Sequence, residues 1–192
     1  VTGRLSRQQQ QVVEIVRMNA IEMQRLIENL VDYNQLPRQE LVLEPIRLGV
    51  LWQERLANYR ISIDQKALQL SRRGTVDSWV ADRHKLRTSL DNLLSNAVNY
   101  APEGGHIDVV WRKEDANLII EVANSGKPIP AEDRERVFEP FFQSNAKRTG
   151  PIKGSGIGLS VARECIEIQG GTLELATHKS LPVCFRLTCP PL

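Results

Sequence analysis

The sequence predicts an α+β protein: a two-layer α/β sandwich, with helices on one face of a mixed sheet, preceded by one long helix of the coiled-coil or bundle kind. Three observations carry that expectation. Apolar residues recur in alternating four- and three-residue steps at Val12, Val16, Met23, Leu26, Leu30 and Tyr33, with Asn19 in the one polar slot. The pattern breaks at Pro37, beyond which short alternating strands and amphipathic helices follow one another without regular βαβ order. A chain of 192 residues, 41% hydrophobic and 25% charged, suffices for one sizeable core and a smaller appendage.

The first element spans about 6–34. Ser6 followed by Gln9 reads as a capping box and Pro37 closes the segment, giving a helix about 40 Å long at 1.5 Å per residue. So long an apolar seam calls for a partner in a two- or four-helix bundle, or else folds back on its own domain. After Pro37 come a strand over 41–48, a helix over about 49–63 and strands near 67–70 and 76–80. Asp82 is placed to N-cap a helix running to Tyr100 with an apolar face of Leu86, Leu90, Leu93, Leu94 and Ala97. Strands over 107–112 and 118–122 lead to a Gly/Pro turn, a short charged helix at 133–137 and an aromatic knot of Phe138, Phe141 and Phe142. A polar loop over 143–153, expected to be mobile, precedes a glycine-rich turn, a helix over about 157–169 and strands over 172–177 and 183–187.

Composition narrows the function classes. A net charge of +2 without a basic tract gives no footing for nucleic acid, so an anionic ligand must be held by local geometry. Cys165, Cys184 and Cys189 lack zinc-ligand spacing and read as buried thiols of a reducing compartment. No stretch approaches the roughly 20 apolar residues that span a bilayer.

Three segments carry chemistry. In Asn92-Leu-Leu-Ser-Asn96-Ala-Val-Asn99-Tyr100 the spacing of four and three puts three carboxamides on one helix face. Each costs several tenths of a kcal/mol in helix propensity. An amide oxygen can ligate Mg²⁺ while its NH₂ donates to a phosphate, without adding negative charge; polar decoration is the alternative. In Asn124-Ser-Gly126-Lys-Pro-Ile129-Pro, Gly126 permits a positive φ or a close backbone approach and Asn124 places an amide at a strand end, which ordinary turns also do. Lys153-Gly154-Ser155-Gly156-Ile157-Gly158-Leu159 opens a helix, where free N–H groups and the dipole favour an anion. Its spacing is neither the dinucleotide fingerprint nor a P-loop.

In this order and spacing the three segments resemble the N, G1 and G2 boxes of the sensor histidine kinase catalytic domain, and Glu135-Arg-Val-Phe138-Glu-Pro-Phe-Phe142 is similar to its F box. The resemblance covers about 41–192. It implies the Bergerat ATP-binding fold over 38–192, with 1–37 as the second helix of a dimerisation and phosphotransfer domain. It further implies ATP and Mg²⁺ as ligands, Asn96 as the metal ligand, Asn92 in support and Tyr100 flanking the nucleotide. Asn124, Gly126, Ile129, Phe138 and the turn from Lys153 to Leu159 would line the site. Asn99 replaces the family's lysine, Asn124 its adenine-binding aspartate and Pro128 a glycine. Lys153, or Lys147 and Arg148, is expected to supply the missing charge.

The same resemblance implies transfer of the γ-phosphate to a histidine and thence to a response-regulator aspartate, homodimerisation through 6–34, and a cytoplasmic domain of a bacterial inner-membrane protein. The gyrase, Hsp90 and MutL-type ATPases of the wider superfamily carry a glutamate where this chain has Asn92. An amide cannot take a proton from water, which favours transfer over hydrolysis. A regulatory module that holds nucleotide weakly is the other alternative. His84-Lys-Leu-Arg-Thr-Ser lacks the acidic residue and proline of the acceptor motif, and His106 and His178 read as surface or strand-end residues. The phosphoaccepting histidine is therefore expected on a helix outside this chain, which leaves no catalytic residue to assign.

Overall fold

The structure is a computed structural model that describes residues 40–143 and 156–192, with positions 6, 8–10, 12, 13, 16, 17, 20, 23 and 27 of the N-terminal segment. Ser6 and Gln9 form the expected capping box: the Ser6 N–H donates to Gln9 Oε1 at 2.9 Å and the Gln9 N–H to Ser6 Oγ at 3.2 Å. The described positions that follow are helical, and Val12, Val16 and Met23 are exposed. Asn19, Leu26, Leu30 and Tyr33 lie outside the described residues.

The rest is one layer of sheet under one of helices. Strands β1 (Leu43–Arg47) and β3 (Ser78–Asp82) form an antiparallel ribbon. The main sheet has the order β2-β4-β5-β7-β6, built from β2 (Gln69–Gly74), β4 (His106–Glu114), β5 (Asn117–Asn124), β6 (Thr172–Leu175) and β7 (Val183–Cys189). Only β2 and β4 run parallel, so the sheet is mixed, as expected. Helices α1 (Leu48–Gln65), α2 (Arg83–Tyr100) and α3 (Gly158–Glu167) cover one face. Period-two alternation explains this: Val109, Trp111, Ile120, Val122, Phe185 and Leu187 enter one core with Leu51, Trp52, Leu90, Leu94 and Ile166 of the helices. The residues between them make the outer face, where Glu121 sits between Arg112 (2.8 Å) and Arg186 (2.8 Å).

Several boundaries differ from the sequence reading. The strand expected near 67–70 begins at Gln69 and runs to Gly74, because Ala67 turns the chain at φ +48° and β2 is an exposed edge strand whose polar residues show no buried alternation. Instead of a helix at 133–137 there are two 3₁₀ turns, Ala131–Asp133 and Arg136–Phe138. Pro140 forces Glu139 into extended backbone (ψ 137°), which leaves no room for an α-helical turn. Strand β6 stops at Leu175 because the chain then crosses the outer face of the sheet. There His178 Nε2 donates to Asp108 Oδ2 of β4 at 3.3 Å, while its Nδ1 accepts from the Leu181 N–H at 3.0 Å. Asp108 also bonds Ser71 and Arg73 of β2. His178, which the sequence presents as a surface or strand-end residue, is thus the brace of this strap.

Candidate nucleotide site

Helix α2 starts where its sequence demands. Asp82, buried at 5% exposure, accepts the Lys85 N–H on Oδ1 and the Val42 N–H on Oδ2, both at 3.0 Å, capping the helix and fastening β1 to it. The buried stripe of Leu86, Leu90, Leu93, Leu94 and Ala97 then fixes the helix's rotation, and with it the direction of the three amides. Their environments differ. Asn92 is buried and donates to the Thr88 carbonyl at 3.0 Å, whereas Asn96 is half-buried and Asn99 is exposed with its amide on Ser95 Oγ at 3.2 Å. Sharing a helix face therefore does not make the three equivalent, since the buried edge of that face takes up Asn92.

The turn after β5 abuts the end of α2. Asn124 is 2% exposed and its Oδ1 accepts the Gly126 N–H at 2.8 Å in an Asx-type turn. A Cβ on Gly126 would lie 2.9 Å from the Tyr100 carbonyl oxygen, so only glycine lets the two segments approach this closely. Ile129 packs half-buried against the core. A cavity of about 240 Å³ opens at the same end of the sheet, lined by Ile129, Leu175, His178, Leu181 and Val183, the last being the register partner of Asn124.

Helix α3 lies antiparallel to α2. Ser89 Oγ bonds the Ala162 carbonyl at 3.0 Å, and Gln169 Oε1 accepts the Asp82 N–H at 2.8 Å, so the end of α3 meets the start of α2. Four residues back from Ala162 is about 6 Å. That sets the first turn of α3, whose backbone N–H groups have no partner within the helix, level with the stretch of α2 that carries Asn92 and Asn96. Gly156 is left-handed (φ +74°), and its carbonyl accepts the Phe141 N–H at 3.0 Å, tying the glycine turn to the aromatic knot. Phe138 is buried edge-on to Phe185, with the Arg163 guanidinium 5.2 Å from its centroid. Ile157 is buried and Leu159 half-buried. Lys147, Arg148, Lys153, Gly154 and Ser155 lie outside the described residues.

Among the described residues no group of three His, Cys, Asp or Glu side chains could hold a metal. The neutral oxygen of Asn96 fits a hard cation that keeps most of its ligands as water and phosphate, as Mg²⁺ does, and would suit no dedicated carboxylate cage. His84 stands twelve residues before Asn96, about 18 Å along the helix. Among the described residues no helix is long and apolar enough to cross a membrane.

Residues 81–192 match the histidine kinase-, DNA gyrase B-, and HSP90-like ATPase family, and the chain belongs to it; this is its ATP-binding domain. Within that family its relatives are sensor kinases. It is 38% identical to the sensor histidine kinase GlrK of Escherichia coli K12 over 99% of this chain and 40% of GlrK. The chain thus spans less than half the length of that relative. The catalytic domain of histidine kinase ThkA superposes with a TM-score of 0.68 at 27% identity, over 78% of this chain and 96% of that domain. ThkA in complex with response regulator protein TrrA superposes with a TM-score of 0.72 over 93% of this chain and 51% of ThkA, at 23% identity.

Proposed function

We propose that this chain is the catalytic core of a sensor histidine kinase, binding Mg-ATP for transfer of the γ-phosphate to a histidine on a helix outside the chain. The observation that carries the reading is the convergence of three segments at one end of the molecule: the Asn96 stretch of α2, the Asn124–Gly126 turn and the N-terminus of α3. An amide oxygen, a tight glycine turn and a row of backbone donors form a neutral to positive surround for a polyanion. In this reading Asn96 ligates the metal, with Asn92 in support. Tyr100, Asn124, Gly126, Ile129 and Phe138 hold the base side, and Lys153 to Leu159 cradle the phosphates. The bound Mg²⁺ neutralises phosphate charge.

Asn92 separates transfer from hydrolysis. Its amide is buried against Thr88 and cannot accept a proton from water at neutral pH, so the nucleophile is supplied by a partner. That partner is the acceptor histidine of the dimerisation domain, to which 1–37 contributes the second helix, with 38–192 as the catalytic domain. Likeness to GlrK and to ThkA, whose complex contains a response regulator, supports a receiver domain as the next partner. It also supports a homodimer through 6–34 and a membrane-anchored parent whose catalytic domain faces the cytoplasm.

A second reading, a regulatory module holding nucleotide weakly, draws on Asn124, whose oxygen already serves Gly126. One experiment decides: calorimetric titration with Mg-ATP, then γ-phosphate transfer to a separately supplied acceptor helix. Saturable binding and transfer support the kinase core, weak binding without transfer the second reading, and no heat at millimolar nucleotide removes both.

A further inference from the structure

Lys66 is the C-cap of α1, where no sequence pattern marks it. Its half-buried ammonium reaches across to the end of α2 and donates to the carbonyls of Val98 (2.6 Å), Asn99 (3.3 Å) and Ala101 (2.6 Å), while its own carbonyl accepts the Gly104 N–H at 2.8 Å. The last carbonyls of a helix have no intrahelical partner and carry the negative end of its dipole. One ammonium with three donors answers three of them at once. This is the turn that carries Asn99 and Tyr100 one turn beyond Asn96, and whose Tyr100 carbonyl abuts Gly126.

We propose that Lys66 is a positioning residue of the nucleotide site: its ammonium clamps the last turn of α2 so that Asn96, Asn99 and Tyr100 keep their places against the Asn124–Gly126 turn. This rests on the nucleotide reading of that site. Lys66 acts through the α2 backbone. Burial lowers its pKa below the usual lysine value, opposed by Glu103. Removing it would take a charged donor from the Val98, Asn99 and Ala101 carbonyls and loosen the last turn.

The test compares Mg-ATP affinity of the 192-residue chain with that of Lys66→Met, Lys66→Arg and Ile46→Val, at a temperature where all are folded. Ile46 is a fully buried residue of the β1 ribbon, and its Val variant supplies a modest loss of stability away from the site. Lys66→Met is expected to weaken binding about tenfold and to speed amide exchange at 98–101, and Lys66→Arg to recover affinity to within about threefold. Ile46→Val should leave affinity unchanged. Unaltered affinity in Lys66→Met overturns the proposal, as does equal weakening in Ile46→Val, which would trace the effect to stability alone. If Lys66→Met does not fold, Lys66→Gln takes its place with the same expectations. Failure of the unmodified chain to bind nucleotide removes the site reading and this inference with it, whereas binding that is indifferent to Lys66 removes this inference only.

Discussion

Replacing Gly126 with alanine tests the site at its tightest contact. The new Cβ would stand 2.6 Å from Asn124 Oδ1 and 2.9 Å from the Tyr100 carbonyl oxygen, short of ordinary contact at 3.4 Å by 0.8 and 0.5 Å. Neither neighbour is a flexible side-chain end. Asn124 is 2% exposed and holds Gly126 by a 2.8 Å hydrogen bond, while Tyr100 closes α2. Overpacking of this kind costs about 1–3 kcal/mol. In a chain of this size each kcal/mol lowers Tm by about 2–4 °C. The shift must also part the turn from α2, which separates the two halves of the proposed nucleotide site. A Kd for Mg-ATP at least tenfold weaker, about 1.4 kcal/mol, is therefore expected. Thermal melts and calorimetry on the same samples measure both. A variant that melts early but binds Mg-ATP within about twofold of the unmodified chain would refute the claim that this contact shapes the site.

Three further outcomes are expected. Asn124→Asp supplies a second acceptor oxygen beside the one that Gly126 occupies, so adenine nucleotides should bind several-fold more tightly; equal or weaker binding in calorimetry counts against a base contact at 124. Asp82→Ala removes an N-cap worth about 1 kcal/mol and orphans the Val42 N–H at about 1–3 kcal/mol, a loss of about 2–4 kcal/mol by urea unfolding that Asp82→Asn, with one acceptor oxygen for two N–H donors, should restore only in part. At Glu121 burial favours the neutral acid, but hydrogen bonds from Arg112 and Arg186 outweigh it and hold the carboxyl below its usual 4.5. Its contribution to stability is then present above that value and lost as pH falls through the lower, folded one. Urea midpoints taken down to about pH 3 should drop less steeply in Glu121→Gln than in the unmodified chain.

Local signals in the sequence marked most of the elements and the chemistry. The cap at Asp82, the stripe from Leu86 to Ala97 and the alternation in β4, β5 and β7 are set by neighbours within a few residues, and the structure keeps them. The bounds of the edge strand β2 and the 3₁₀ turns before Pro140 escape such signals, because an exposed strand has no buried face to display and a proline acts on the residue before it. Lys66 and His178 gave no signal at all. Their partners lie 32 to 70 residues away in sequence, on α2 and β4, and no spacing rule connects such positions.

By itself, then, the chain's order of residues determined an α+β sandwich and three short segments rich in amides and glycine, because helix and strand periods and turn chemistry are local properties. Which amides face outward, the approach of Gly126 to Tyr100, the antiparallel seating of α3 on α2 and the clamp from Lys66 were decided only when the core closed. Packing fixes the rotation and offset of each helix, and those two quantities decide where a side chain ends up.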